Sequence, residues 1–134
     1  MLDKIDHIGI AVHSIEEVRS FFLRIFDLKP VFEELVEDQK VKVIGFKIGE
    51  SNIEFLEPTS PESPLSKFLV KRGQGMHHIS IEVQNLEHTL AILKSQQIQL
   101  IDENSRTGAE GKKIAFLHPK STFGVLLELS QKVK

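Results

Sequence analysis

A short motif that occurs twice constrains the fold of this 134-residue chain more than any other feature. Residues 6–12 read DHIGIAV, and residues 77–83 read HHISIEV, so that His7 aligns with His78. Alternating side chains in both copies predict a β-strand, because successive residues of a strand point to opposite faces. The two histidines lie 71 residues apart, a little over half of the chain. Such spacing predicts that the chain consists of two related modules.

The segments that follow each copy of the motif support a duplication. After the first copy, Ser14 precedes Glu17 by three residues, which is the capping-box pattern of a helix start. Apolar residues at helical spacing then predict a helix over about residues 16–26. After the second copy, Asn85 is expected to cap a helix with Leu86 and Leu90 on its apolar face. Each half then ends in alternating apolar segments, so both halves are predicted to run strand, helix, strands.

Each predicted module also places one carboxylate in its last strand. Glu54 lies in NIEFLE and Glu128 in LLELS, at equivalent positions of the two halves. A charged side chain in an apolar strand is costly unless it is paired or bound to a metal. Together with His7 and His78, two imidazoles and two carboxylates suit a six-coordinate divalent ion with two open positions. The sequence therefore predicts a metal site made by His7, Glu54, His78 and Glu128.

A simpler interpretation exists for each of these residues taken alone. A single histidine in an apolar strand is more often a hydrogen-bonded core residue than a ligand, and a single glutamate in a strand usually faces solvent. The recurrence of both residue types at matched positions is what favours the metal site.

Composition excludes several classes of function. The formal net charge is −2 and no long basic run is present, so neither nucleic acid nor a membrane surface is an expected partner. The chain has no cysteine, which excludes thiolate catalysis, disulfides and sulfur-ligated metals. No apolar run is long enough to span a bilayer. Because the first strand begins almost at the N-terminus, no signal peptide is expected, and the predicted location is the cytoplasm.

Three local predictions concern the segments between the modules and within the second. Ser63 and Pro64 are expected to open a helix that ends near Gly73, since serine caps and proline suits the first helical position. Residues 96–101 alternate and are predicted to form a strand. Residues 106–111 are predicted to form a glycine-bearing loop long enough to contact a ligand.

With these features the chain resembles the vicinal oxygen chelate superfamily and, within it, the methylmalonyl-CoA epimerase family. The resemblance covers about residues 3–131. The more specific matching segments are DHIGIAV at 6–12, VEDQ at 36–39, EFLEP at 54–58, SPLSKFL at 63–69, GMHHI at 75–79 and GKKIAFLHPKS at 111–121. It implies an α+β fold, in which two tandem βαβββ modules form a curved mixed sheet around a metal site. The expected organisation is a single domain over residues 1–134, with modules over 1–72 and 76–131.

The resemblance also implies an activity and a cofactor. The expected enzyme is a metal-dependent epimerase that interconverts (2R)- and (2S)-methylmalonyl-CoA by proton abstraction through a metal-chelated enolate. The cofactor would be one divalent ion, with Co²⁺ first and Mn²⁺, Ni²⁺ or Zn²⁺ as alternatives. The expected partner is a small-molecule CoA thioester, and a homodimer is expected from the family. His7, Glu54, His78 and Glu128 match the family's ligand positions.

The resemblance assigns Glu128 both a ligand and a base role. For the opposite face of the substrate, we predict that its counterpart Glu54 is the second base. Some family members carry a glutamate in the third strand as one of two bases, but the aligned residue here is Val43. A two-base scheme therefore does not transfer directly from those members, and a single base acting through solvent, or another acid such as Glu37, remains an alternative.

A histidine and a lysine in the loop before the last strand are predicted to contact the substrate. His118 and Lys120 belong to HPKS, and Lys120, with Lys112 or Lys113, would meet the CoA phosphates as a point charge. The alternative interpretation is an ordinary proline turn with a solvated lysine.

Three competing functions remain open on sequence alone. Lactoylglutathione lyase (glyoxalase I) has a similar ligand set and similar proton transfer, but the SPLSKFL and FLHPKS segments favour the epimerase. A non-enzymatic ligand-binding resistance protein would keep the fold and lose the ligands, so the four intact residues argue against it. A metal-dependent dioxygenase is less favoured because it would normally use three protein ligands.

Overall fold

The computed structural model describes residues 1–133, which form eight strands and three α-helices. The strands are β1 (Leu2–Ala11), β2 (Phe32–Val36), β3 (Val41–Ile48), β4 (Ser51–Pro58), β5 (Gly75–Val83), β6 (Arg106–Thr107), β7 (Lys113–Leu117) and β8 (Leu127–Gln131). The helices are α1 (Ile15–Phe26), α2 (Pro64–Arg72) and α3 (Leu86–Ser95), and three short 3₁₀ turns cover Glu37–Gln39, Ala109–Gly111 and Pro119–Ser121.

The chain divides into two compact units whose boundaries fall inside two strands. One, which we call the split unit, joins residues 1–7 to the chain from His78 onward. The other, the continuous unit, comprises Ile8–His77. The first residues of β1 therefore pack with the second half of the sequence. The predicted module limits of 1–72 and 76–131 describe repeated sequence and stay a prediction.

In the continuous unit, strands β2, β3 and β4 are antiparallel neighbours, and the end of β1 lies beside β4. Its core gathers Val12, Ile15, Ile44 and Phe46. The ring of Phe22 on α1 stacks on Phe46 with centroids 4.4 Å apart. Helix α1 therefore packs its apolar face on the sheet, as its 3.6-residue periodicity requires.

In the split unit, the order is β1, β5, β8, β7 and β6. Strands β5 and β8 are parallel, whereas β8 with β7 and β7 with β6 are antiparallel. Helix α3 contributes Leu86 and Leu90 to a core that also contains Val83, Ala115, Leu117 and Leu129. Because Val83 and Leu129 occupy this face, His78, Ser80 and Glu128 are directed to the other face of the same strands.

The helix boundaries agree with the capping residues read from the sequence. The Ser14 side chain accepts a hydrogen bond from the Glu17 amide, and Asn85 accepts one from His88. Ser63 caps α2 and Pro64 occupies its first turn, while Gly73 ends the helix with φ of 75°. Side chains that satisfy the first free amides thus define all three helix starts.

The strand predicted over residues 96–101 is wrong. The Gln96 amide instead donates to carbonyls of the last turn of α3, and Gln97 adopts a left-handed φ of 61°. Only Leu100 forms an isolated bridge, with Leu117. The alternation in QQIQLI reflects Ile98 and Leu100 packing against the α3 core and not a continuous ladder. In the predicted loop over 106–111, Arg106 and Thr107 form the short strand β6.

Candidate functional site

Three of the four predicted ligands converge in the split unit. His7 Nε2 lies 3.0 Å from His78 Nε2 and 3.4 Å from Glu128 Oε2. One ligand atom from each of the three residues falls within 4.8 Å of the others, and all three side chains are buried. The residues come from β1, β5 and β8, so the convergence is set by strand pairing and not by neighbouring sequence.

The register of β5 and β8 explains why His78 and Glu128 share a face. The two strands run parallel with Ser80 opposite Glu128, and His78 lies two residues before Ser80. Since side chains alternate, His78, Ser80 and Glu128 all project to one side. The same side carries Phe116 of β7, whose Cα is opposite Glu128 and whose ring meets the His78 ring edge-on, with centroids 5.5 Å apart.

His7 is fixed from its other ring nitrogen by a buried carboxylate. His7 Nδ1 lies 2.8 Å from Asp6 Oδ2, and Lys112 Nζ lies 2.9 and 3.0 Å from the two Asp6 oxygens. Burial alone would raise the pKa of Asp6, but hydrogen bonds from His7 and Lys112 outweigh it and lower the pKa to about 2. Asp6 is thus a charged acceptor for the Nδ1 proton, which leaves His7 Nε2 facing His78 and Glu128.

Glu128 presents an oxygen that the surrounding protein does not satisfy. Its Oε2 is buried and makes no hydrogen bond to any residue within 1–133. Burial raises the pKa of Glu128, and the positive charge of a protonated His7 opposes that rise. The Ser80 hydroxyl also lowers the pKa of Glu128, and the nearest ring nitrogen to Oε2 is His7 Nε2 at 3.4 Å. This oxygen is therefore available to bind a group outside the polypeptide.

The donor set fits a divalent metal ion. Two ligand atoms at right angles, each about 2.1 Å from one ion, lie about 3.0 Å apart, which is the separation of the two Nε2 atoms. Imidazole nitrogens and a carboxylate oxygen suit Co²⁺, Mn²⁺, Ni²⁺ and Zn²⁺. His7, His78 and Glu128 are therefore a candidate metal group, as the sequence predicted for these three residues.

Glu54, the fourth predicted ligand, belongs to the continuous unit. It lies in the middle of β4 opposite Gly45 of β3, and its side chain is only 4% exposed. The burial of Glu54 matches that of Glu128, which is also 4% exposed. Both carboxylates predicted from the duplication are thus removed from bulk solvent, and the roles of Glu54 as ligand and base stay predictions.

His118 and Lys120 occupy a capped turn. The Lys120 amide donates to His118 Nδ1 at 3.1 Å, and the Ser121 amide donates to the His118 carbonyl. His118 is half-buried and the Lys120 side chain is exposed. The predicted contact of these two residues with a CoA thioester stays a prediction.

Sequence reasoning missed the contact between Asp6 and Lys112. Lys112 was named, as an alternative to Lys113, beside Lys120 at the CoA phosphates. Its ammonium group contacts Asp6 and lies 3.5 Å from Glu110. The available signal was the Asp-His dipeptide at the start of the motif, which the second copy replaces with His77-His78. Lys112 itself had no local signal, because 106 residues separate it from Asp6.

The chain resembles known proteins in sequence. Residues 6–116 match the Glyoxalase/Bleomycin resistance protein/Dioxygenase superfamily. The uncharacterized protein YqjC of Bacillus subtilis is 46% identical over 97% of this chain and 93% of its own. Human mitochondrial methylmalonyl-CoA epimerase is 36% identical over 97% of this chain and 74% of its own.

The chain also resembles solved structures of methylmalonyl-CoA epimerases. A variant of Streptomyces coelicolor methylmalonyl-CoA epimerase, solved in complex with 2-nitronate-propionyl-CoA, superposes with a TM-score of 0.95. The two sequences are 33% identical, and the superposition covers 100% of both chains. Among residues 1–133, none of the helices has the length and apolarity needed to cross a bilayer.

Proposed function

This chain belongs to the methylmalonyl-CoA epimerase family within the glyoxalase/bleomycin resistance protein/dioxygenase superfamily, and from that premise we propose that it interconverts (2R)- and (2S)-methylmalonyl-CoA. The membership confirms the predicted family, the vicinal oxygen chelate fold class and the expectation of an epimerase. The observation that carries the proposed reaction is the convergence of His7, His78 and Glu128 within 4.8 Å.

The proposed cofactor is one divalent ion held by His7, His78, Glu128 and Glu54. Support comes from the facing Nε2 atoms, from the unsatisfied Glu128 oxygen and from the burial of Glu54. Bound there, the ion would act as a Lewis acid for negative charge on a substrate oxygen, which is worth several kcal/mol. Co²⁺ is our first choice, with Mn²⁺, Ni²⁺ and Zn²⁺ as alternatives, because the donor set does not discriminate among them.

The chain's own part in the reaction is proton transfer at C2 of the substrate. C2 lies between a thioester and a carboxylate, so breaking its C–H bond leaves an electron pair that delocalises onto the thioester oxygen. We assign the Glu128 carboxylate to take that proton on one face and a protonated Glu54 to return its own proton to the opposite face, which inverts the centre. Both groups then exchange protons with solvent before the next turnover. The scheme needs no Tyr or Cys, and the chain contains neither.

The remaining parts of the proposal concern the rest of the substrate and the protein's setting. We assign the exposed Lys120 and the half-buried His118 to the CoA moiety, where a lysine acts as a point charge for phosphate. A homodimer and a cytoplasmic location are carried forward as proposals. Equilibrium sedimentation of the metal-loaded chain tests the first, and cell fractionation tests the second.

The test of the reaction is deuterium incorporation. The protein is incubated with (2R)-methylmalonyl-CoA in heavy water, with and without a chelator, and C2 is followed by NMR. We expect deuterium at C2 and conversion of the 2R epimer into a mixture of the 2R and 2S epimers. The chelator should abolish both changes, and added Co²⁺ should restore them. Unchanged substrate with Co²⁺ present would refute the proposal.

A parallel assay separates the epimerase from its rivals in the superfamily. The glutathione hemithioacetal of methylglyoxal is offered to the same preparation, and we expect no conversion. Conversion of the hemithioacetal without exchange at C2 of methylmalonyl-CoA would identify lactoylglutathione lyase. Failure of both assays, with tight binding of bleomycin, would identify a resistance protein.

A further inference from the structure

We propose that Asp6 and Lys112 are positioning residues that fix the ring of His7 for metal binding. Asp6 Oδ2 lies 2.8 Å from His7 Nδ1, and Lys112 Nζ lies within 3.0 Å of both Asp6 oxygens. Asp6 is 4% exposed, so its charge would be costly without these partners. The inference rests on the metal site proposed above and assigns a task to two residues outside the ligand set.

The hydrogen bond to Asp6 selects one tautomer of His7. A carboxylate accepts and does not donate, so the proton of a neutral His7 ring stays on Nδ1. The lone pair then resides on Nε2, the atom that faces His78 Nε2 at 3.0 Å and Glu128 Oε2 at 3.4 Å. A metal-binding histidine needs its free nitrogen directed at the ion, and a fixed partner on the other nitrogen supplies that orientation.

Lys112 keeps Asp6 in the position that the hydrogen bond requires. Its ammonium group contacts both carboxylate oxygens, and its side chain is 14% exposed, so the pair is largely shielded from water. A shielded ion pair holds its geometry better than an exposed one, because removal of either partner leaves a buried charge unpaired. Lys112 therefore holds Asp6 in place, and Asp6 in turn orients the His7 ring.

The conformation of the loop before β7 places Lys112 beside Asp6. Glu110 and Gly111 have left-handed φ values of 60° and 69°, which turn the chain just before Lys112. Gly108 packs against Ile114 so closely that a Cβ there would lie 2.9 Å from its side chain. Arg106 lies over the ring of Phe116, which in turn meets the His78 ring. The loop thus reaches both imidazoles, His7 through the ionic pair and His78 through an aromatic ring.

An ion pair that only stabilises the fold would give the same distances. The test therefore measures both the tautomer of the His7 ring and the affinity for Co²⁺. Four variants of the full-length chain serve: Asp6→Asn, Lys112→Met, Lys112→Arg and, as the matched control, Lys113→Met. Lys113 is the adjacent residue, and its side chain is exposed. The His7 tautomer is read from the ring ¹⁵N shifts of the metal-free protein, and Co²⁺ binding is measured by calorimetry.

We expect wild-type His7 to carry its proton on Nδ1 and Asp6→Asn to give a mixture of tautomers, because an amide both donates and accepts. Co²⁺ affinity should fall by about 10- to 100-fold in Asp6→Asn, the usual effect of losing such a partner. The loss should be smaller in Lys112→Met, with recovery in Lys112→Arg. Lys113→Met should leave both the His7 shifts and the affinity unchanged.

The positioning role is refuted if Asp6→Asn and Lys112→Met lose thermal stability but keep the His7 shifts and the Co²⁺ affinity of the wild type. Should Asp6→Asn fail to fold, the Co²⁺ affinities of the Lys112 variants decide. A loss in Lys112→Met with recovery in Lys112→Arg supports the positioning role, and an unchanged affinity in Lys112→Met refutes it. A wild type that binds no Co²⁺ refutes the metal site. In that case the His7 shifts of Asp6→Asn still decide whether Asp6 positions the ring.

Discussion

The two units of the molecule differ in how many ionisable side chains they bury. In the split unit, Asp6, His7, His78 and Glu128 are all buried and in contact with one another or with Lys112. In the described continuous unit, Glu54 is the only acidic or basic side chain that is buried to this degree.

The other charges of the continuous unit lie at its surface. Six of them line a cleft of about 520 Å³ (Glu16, Arg19, Glu33, Glu34, Lys42 and Glu57). Arg19 bridges Glu16 and Glu33 there, with its own side chain 34% exposed. Burial of charge is costly, so we expect a function at the buried cluster of the split unit. The exposed ion pairs of the cleft need no ligand to explain them.

The same contrast appears between the two copies of the repeated motif. The residue before the histidine is Asp6 in the first copy and His77 in the second. Asp6 holds His7 through an ionic hydrogen bond. His77 instead packs its ring edge-on against Phe68 of α2, with centroids 4.9 Å apart, and burial lowers its pKa to about 4. The two copies of the motif thus share an imidazole that faces the same site, and they differ in the residue that precedes it.

Replacement of Glu128 by Gln should have the largest effect. The change removes one ligand charge and the proposed base while keeping the shape of the side chain. We expect the rate of deuterium exchange at C2 to fall by about 10³-fold, within the range for loss of a general base. Amide exchange of the variant checks that the fold is intact. Exchange within a factor of ten of the wild type would remove Glu128 from the mechanism.

Replacement of Glu54 by Gln tests whether the continuous unit contributes its one buried acid to the same reaction. We expect about a 10²-fold loss of turnover, with weaker Co²⁺ binding measured by calorimetry. The exposed acid of the same unit provides the control, since Glu33→Gln should leave both quantities unchanged. If Glu54→Gln binds Co²⁺ normally and epimerises the substrate at the wild-type rate, the assignment of Glu54 as ligand and second base is wrong.

Replacement of Phe116 by Leu tests the aromatic contact on His78. The smaller side chain should lower the free energy of unfolding by about 1–3 kcal/mol, as expected for a buried aromatic residue. Co²⁺ affinity should fall by less than the loss in Asp6→Asn, because a ring edge restrains an imidazole less than an ionic hydrogen bond. Phe46→Leu in the core of the continuous unit is the matched control. Equal effects of both variants on Co²⁺ binding would contradict a local role for Phe116.

Replacement of Arg19 by Gln should have the smallest effect. The exposed Arg19–Glu33 pair is worth less than about 1 kcal/mol, measured by urea unfolding at neutral pH. The hydrogen bond from Arg19 lowers the pKa of Glu33, so the unfolded state binds a proton more readily as the pH falls. The pair's contribution is present above the ordinary pKa of Glu33 and disappears below its lowered value. If Arg19→Gln changes the free energy of Co²⁺ binding more than the free energy of unfolding, the proposed difference between the two units is wrong.

Much of the fold and three residues of the site followed from local pattern and from the repeat. The capping residues Ser14, Ser63 and Asn85 predicted the three helix starts, because each satisfies an amide within its own first turn. His7, His78 and Glu128 were found because duplication repeats a residue type at a matched place, and their convergence follows from strand pairing.

What the sequence did not reveal depended on contacts between distant residues or on backbone conformation. Lys112 meets Asp6 across 106 residues, and the turn that brings it there relies on left-handed φ values at Glu110 and Gly111. The failed strand over residues 96–101 has a similar origin, since Gln97 turns the chain with φ of 61°. Tertiary packing of Ile98 and Leu100 produces an alternating pattern without a strand ladder.

The measurement that tests the metal site most directly is an anomalous diffraction map of crystals grown with Co²⁺, recorded at the cobalt absorption edge. We predict one ion per chain, bonded to Nε2 of His7, to Nε2 of His78 and to a carboxylate oxygen of Glu128, with Glu54 as the fourth protein ligand. An ion bound elsewhere, or no ion at a Co²⁺ concentration that restores activity, would contradict the account.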